Sequence, residues 1–374
     1  MSKKLAVFAV AAATVLATSA FAQDRVSTST KGSLLWFPKI ELRFDAGGNL
    51  KQDAFIQLSN DFTTDVHLVT FYVLEDCTRF YIDIDLTKNQ PVFWSVATGQ
   101  PYGVAPLTVI RAPYPDPEGS GDLVLRGFYV AFAANQQNQQ IRWNHLTGLL
   151  TAVNYAQGHA YEYAPYSFQA LQGNNGDPVG TAGQIKLDGV EYSIPFNRLQ
   201  LDFQASGSTG FSGGGRIVTH DTDVTLVLAF LDLRQDRYYY RTKAKYFIWN
   251  AEEISYAAEY CIQCWSQRLL SNVGGIFLVE NLQTANGRAQ IDGEFSTVCA
   301  VTPPDPQIIN TAAPLLGLAI KVLTFDNGDV TTAGETLSGQ GSEAGFILYD
   351  IPEPPEEQVP DAPKGVNSLG AFRR

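Results

Sequence analysis

Apolar and polar residues alternate with period two at several places along this chain, and that alternation predicts β-strands. The clearest case is Lys39-Ile40-Glu41-Leu42-Arg43-Phe44, closed by the turn-forming Asp45-Ala46-Gly47-Gly48-Asn49. Successive side chains on a strand point to opposite faces, so Ile40, Leu42 and Phe44 are expected to be buried and Lys39, Glu41 and Arg43 to be wet. Residues 54–58, 66–74 and 126–134 predict further strands. The second of these is apolar on both faces, which predicts a central place in a sheet. Residues 135–140, all Asn and Gln, predict a polar loop before Ile141-Arg142-Trp143. After a Gly/Ser-rich passage at 205–215, the same alternation predicts strands at 222–232, 243–250, 276–280 and 346–350.

Long connections between short strands favour sandwiches over an up-and-down barrel. A transmembrane barrel would need evenly spaced alternating segments of about ten residues, and the chain lacks them. The expected fold class is therefore all-β, an antiparallel β-sandwich architecture with two tandem Ig-like sandwich domains. The expected division is a signal peptide at 1–22, a first sandwich at 23–205, a second at 215–350, and a disordered acidic, Pro-rich tail at 351–374. "AFIQLSND" from Ala54 and "YFIWNAEE" from Tyr246 each set a Phe-Ile strand before Asn and acidic residues, with an apolar strand and a cysteine following. A duplication would leave such a match, and so would chance between two strands that end in turns. Composition agrees with the strand reading: of 374 residues 45% are hydrophobic and 12% aromatic, with 32 Gly and 19 Pro to make turns.

The N-terminus adds an address. Ser2-Lys3-Lys4 precedes the apolar run LAVFAVAAATVLATSAF and the small-residue site Ala20-Phe21-Ala22, the arrangement of a secretory signal cut before Gln23. The run is short for a membrane span, and no cysteine follows the cut to take a lipid. An exported protein, periplasmic or extracellular and without a membrane span after cleavage, is expected. Loss of Lys3 and Lys4 takes the formal net charge from −12 to −14. An acidic chain with no Lys/Arg-rich stripe is a poor partner for nucleic acid or anionic membrane.

In an oxidising compartment the four cysteines, Cys77, Cys261, Cys264 and Cys299, predict two disulfides. "YCIQCW" at 260–265 lacks the His that a haem clip needs after its second cysteine, lacks the helix a thioredoxin-type centre needs, and lacks a second ligand pair for zinc. Were Cys261 and Cys264 on an extended strand, their Cα atoms would lie about 10 Å apart, beyond bridging reach. Cys299 is then expected to take one of them, and Cys77 to take the other or stay free.

Several stretches imitate site motifs. Gly210-Phe211-Ser212-Gly213-Gly214 matches a nucleophile elbow, but no helix and no later acid-then-His order accompany it. Gly339-Gln340-Gly341-Ser342-Glu343-Ala344 imitates a dinucleotide fingerprint and runs into a strand. Oxygen-rich loops hold Asp116, Glu118 and Asp122, then Asp221 and Asp223, then Asp326 and Asp329. Hard oxygen ligands of this kind suit calcium, but hairpin-turn chemistry is the default explanation of the same residues, so no cofactor is expected and calcium is the one candidate. Tyr161, Tyr163, Tyr166 and Tyr239 are candidates for stacking on a ligand, though core packing explains tyrosines in β proteins equally well. Asp83 and Asp85 share a strand face about 7 Å apart, near the spacing of paired glycosidase carboxylates.

The run "GSLLWFPKIELRFDAGGNLKQDAFIQLSNDFTTDV" together with "YCIQCWSQRLLS" resembles uncharacterised bacterial exported proteins over most of the chain after the signal. The resemblance implies export and a β-rich body, and it carries over no activity or site residue. The function expected is that of a non-enzymatic binding or structural protein of the cell envelope or exterior. It would act through sheet edges or exposed aromatic surface on a glycan, an envelope protein or another copy of itself. The alternative is a secreted carbohydrate-active enzyme or carbohydrate-binding protein with Asp83, Asp85, Glu162 and Asp223 as candidate acids.

Overall fold

The computed structural model describes residues 25–28, 30–211, 215–234, 242–299 and 312–351. The expected signal peptide, Tyr239, Ser212 to Gly214 and all but the first residue of the expected tail lie outside the described residues.

Among the described residues, ten strands build one sheet: β1 (Leu34–Phe44), β2 (Leu50–Asn60), β3 (Val66–Leu74), β4 (Arg79–Leu86), β5 (Pro91–Ser95), β6 (Tyr114–Pro115), β7 (Leu123–Ala134), β8 (Leu146–Asn154), β9 (His159–Tyr163) and β10 (Tyr166–Phe168). Its path runs β4-β3-β7-β1-β2-β8-β9, with β5 on β2, β6 on β7 and β10 on β1. The remaining strands are β11 (Gln184–Leu187), β12 (Arg198–Gln204), β13 (Thr209–Phe211), β14 (Ile217–Leu228), β15 (Phe230–Asp232), β16 (Thr242–Asn250), β17 (Ser255–Ile262), β18 (Trp265–Leu269), β19 (Asn286–Phe295), β20 (Leu315–Phe325), β21 (Val330–Thr336), β22 (Gly339–Gln340) and β23 (Gly345–Leu348). They form the sheets β17-β16-β19-β12-β22, β13-β14-β20-β21 with β18 on β14, and β11-β23-β15. The architecture is all-β and sandwich-like, antiparallel except where β15 runs parallel to β23.

Helical segments are single turns, α1 (Leu107–Ile110), α2 (Leu270–Val273) and α3 (Val279–Leu282) among them. The strand expected at 276–280 is instead a 3₁₀ turn over Gly275–Phe277 followed by α3. A short apolar run does not by itself distinguish a period of 2 from one of 3.6, and here Phe277 and Leu282 reach the core from helical turns.

Two apolar clusters hold the sheets together. The large sheet curls so that Ile56, Leu58 and Trp94 share one cluster with Leu35, Phe37, Tyr72 and Tyr129. Leu318 and Ile320 of β20 join it. Gly148 permits the closure, since a Cβ there would lie 2.6 Å from the Phe37 ring. The second cluster joins the other face of β1 and β7, through Trp36, Phe128 and Phe132, to Leu226, Tyr246, Trp265 and Ile291. Both clusters draw on residues before 205 and after 215, and β11 and β12 pair with strands of the later half.

The polar side of β1 is not wet as its alternation predicts: Lys39 is 2% exposed and Glu41 4%. β14 and β20 pack against that side, and charges from the second half meet the charges on β1. The register of β1 with β7 shifts between Phe37 and Ile40, at Pro38, which has no N–H for the ladder. The freed backbone is satisfied by side chains. Lys39 N–H donates to the Tyr163 hydroxyl at 3.1 Å, that hydroxyl donates to the Lys39 carbonyl, and Trp265 Nε1 donates to the Pro38 carbonyl at 2.9 Å.

Two disulfides link distant segments. Cys77–Cys264 joins the β3–β4 turn to the bend before β18, and Cys261–Cys299 joins β17 to the turn after β19. The chain bends at Gln263 and Cys264 rather than running extended through them.

Candidate functional site

Two polar constellations stand out, one interior and one on a sheet face. The interior one begins at the bulge in β1. Lys39 Nζ lies 2.7 Å from Asp223 Oδ2 and 3.0 Å from Glu41 Oε2, and Gln267 Nε2 donates to the same Asp223 oxygen at 2.8 Å. Arg43 bridges Glu41 at 2.7 Å and Asp116 at 3.0 Å, while Lys51 holds Asp122 at 2.8 Å. Arg126 extends the network to Asp116 at 3.6 Å, Glu118 at 3.5 Å and Glu75. Burial opposes the charge on Lys39, yet Asp223 and Glu41 outweigh it and hold its pKa above the ordinary lysine value. Burial likewise pushes the Glu41 carboxyl up, but Lys39, Arg43 and Arg126 hold it far below the usual carboxylate range. Beside this network is a cleft of about 380 Å³ whose walls include Lys39, Glu41, Asp223, Gln267, Tyr161 and Thr332.

The second constellation is the outward face of the β17-β16-β19-β12-β22 sheet. Along β16 the residues Thr242, Ala244, Tyr246 and Ile248 are buried, so Lys243, Lys245, Phe247 and Trp249 share the opposite face. Phe247 is 41% exposed and Trp249 half-buried. Register sets polar rows beside these rings: Trp249 opposite Arg288, which is opposite Asp202, and Phe247 opposite Gln290, which is opposite Gln200. Arg288 grips Asp202 through two bonds of 2.6 and 3.0 Å, and Arg198 grips Asp292 in the same way at 2.7 and 2.6 Å. At the Trp249 end a depression of about 370 Å³ is lined by Trp249, Arg288, Asp202, Asn286 and Lys321. Apolar ring faces beside fixed donors and acceptors suit a flat, hydroxyl-bearing ligand.

No protein-family model and no curated protein matches this chain. Among solved structures it is similar to the apo form of the Pleurotus ostreatus lectin, at 10% identity over 88% of this chain and 84% of that one, with a TM-score of 0.18. It is also similar to the viral chemokine binding protein R17 encoded by rodent gammaherpesvirus Peru, at 8% identity over 82% and 87%, with a TM-score of 0.15.

The structure gathers some of the expected residues and disperses others. Asp116, Glu118, Asp122 and Asp223 meet in the ion network as counter-charges to Arg43, Arg126, Lys51 and Lys39. Asp221 accepts from the hydroxyls of Ser206 at 2.6 Å and Ser271 at 2.7 Å. Asp326 and Asp329 lie in the β20–β21 turn, each 3.5 Å from Arg216. Among the described residues, no three His, Cys, Asp or Glu side chains are grouped so as to hold a metal ion. Asp83 and Asp85 of β4 flank His67 of the neighbouring β3, whereas Glu162 lies on β9, at the other end of the sheet's strand path. Tyr163 and Tyr166 are buried, with hydroxyls bonded to the backbone at Lys39 and Gly317, so neither ring meets solvent. Tyr161, though buried, lines the interior cleft.

Sequence reasoning missed Phe247 and Trp249. Their signal is phase: in Lys243 to Asn250 both aromatics fall in step with the lysines and not with the apolar residues.

Proposed function

We propose that this chain is an exported, non-enzymatic protein that binds a glycan of the cell envelope or exterior through the outer face of β16, β19 and β12. The observation that carries the reading is the placement of Phe247 and Trp249 side by side on a polar sheet face, with Arg288–Asp202 fixed beside Trp249. Phe247, 41% exposed, and the half-buried Trp249 put apolar ring surface on a polar sheet face, where a bound ligand would cover it. Saccharide C–H faces stack on such rings, and hydroxyls take the amide, guanidinium and carboxylate groups around them. The β4 and β17 edges fit less well as the working surface, because β4 carries Asp83 and Asp85 and β17 carries Glu259 paired to Lys243, charges that discourage strand addition. The N-terminal signal pattern and the two disulfides support export.

The test is retention of the purified mature protein on a panel of immobilised polysaccharides. Trp249→Ala is expected to abolish retention on whichever glycan holds the wild type, at unchanged melting temperature. Retention that survives Trp249→Ala and Phe247→Ala together, or no retention on any glycan, contradicts the reading.

A further inference from the structure

The interior cleft shares no lining residue with the depression beside Trp249, and it poses its own chemical demand. Asp223 Oδ1 and Gln267 Oε1 are buried and have no hydrogen-bond donor, although both residues are 8% exposed and line the cleft. The amide of Gln267 is not free to turn over and cure this. Its Nε2 must face Asp223 Oδ2, where it donates at 2.8 Å, so Oε1 is left pointing elsewhere. Among the residues that line the cleft, the groups left without a partner are acceptors.

Charge points the same way. The connected ion network holds four cations, Lys39, Arg43, Lys51 and Arg126, against six carboxylates, so it is two positive charges short. His159, also in the cleft wall, is poorly placed to make up the deficit, because burial lowers its pKa and so disfavours its charged form. The cleft, at about 380 Å³, is larger than an ammonium group, and Ile320, Val322 and Tyr161 give it an apolar wall for a carbon skeleton.

We propose that this cleft binds a small organic amine, with the primary ammonium group seated on Asp223 Oδ1 and Gln267 Oε1 and the aliphatic body against Ile320 and Val322. An ammonium offers donors without an acceptor, together with positive charge, and the site is short of both.

The test titrates the full mature protein with 1,4-diaminobutane by calorimetry, with 1,4-butanediol as neutral analogue and calcium chloride as inorganic cation. Saturable binding of the diamine, at least tenfold tighter than the diol, is expected. Gln267→Leu is expected to weaken diamine binding at least tenfold. Thr332→Lys, which brings a tethered ammonium into the cleft from β21, is expected to abolish it while leaving the melting temperature unchanged or raised. Trp249→Ala is expected to leave it untouched, which separates this site from the glycan face. No diamine binding, equal binding of diol and diamine, displacement of the diamine by calcium, or insensitivity to both Gln267→Leu and Thr332→Lys would each overturn the proposal.

Discussion

Lys39 carries more of this structure than its place in an alternating strand suggests. It is the cation held between Glu41 and Asp223, and both carboxylates are buried with it. Removing one partner of a buried pair strands the others, so Lys39→Met is expected to destabilise the fold by about 3–5 kcal/mol in urea unfolding. The same residues set a pH window. Glu41 has a folded pKa below its unfolded value, so its contribution is present above about pH 4.3 and is lost as pH falls from there. Lys39 has a folded pKa above its unfolded value, so its contribution is present below about pH 10.4 and is lost as pH rises beyond it. A plot of urea midpoint against pH is expected to fall at both ends, and Lys39→Met to flatten both falls. A wild-type midpoint that does not move between pH 5 and pH 3 would contradict the buried network. The alternation of residues 39–44 was legible in the sequence, but the burial of its polar side was not, because the decisive counter-charge lies 184 residues away at Asp223.

At the scale of the element, β16 divides its work by face. Tyr246 is buried against Phe277 and Tyr260, while Phe247 and Trp249 look outward. Tyr246→Ala is expected to cost about 3 kcal/mol or more, and Phe247→Ala to change stability by about 0.5 kcal/mol or less, measured by chemical denaturation. Comparable losses from the two would mean that the outer face is covered. Here the strand itself and its facing were readable from period two. What went unread was the meaning of aromatics on the polar phase, since composition counts rings without saying which side they take. The misreading at 276–280 has the opposite cause: five residues are too few for one period to exclude the other.

Across the whole molecule, the two halves are bound by shared apolar clusters, by the Lys39–Asp223 pair and by the Cys77–Cys264 bridge. That bridge spans 187 residues and Cys261–Cys299 spans 38, which in chain-entropy terms is about 5 and 4 kcal/mol respectively. Replacing Cys77 and Cys264 together with Ser is accordingly expected to lower the melting temperature more than replacing Cys261 and Cys299. The all-β class was legible because strand grammar is local. The way β20 reaches into the first cluster was not, because packing between elements far apart in the chain leaves no periodic trace. Of the five tryptophans, Trp36, Trp94, Trp143 and Trp265 are buried and Trp249 is half-exposed, so a collisional quencher in solution reads the proposed glycan face almost alone. Acrylamide quenching of the intrinsic fluorescence, with and without the retained glycan, is therefore the most direct measurement. Saturating glycan is predicted to shield Trp249 and reduce the quenchable fraction, with no such change in Trp249→Ala. Unchanged quenching of the wild type at glycan saturation would contradict the account.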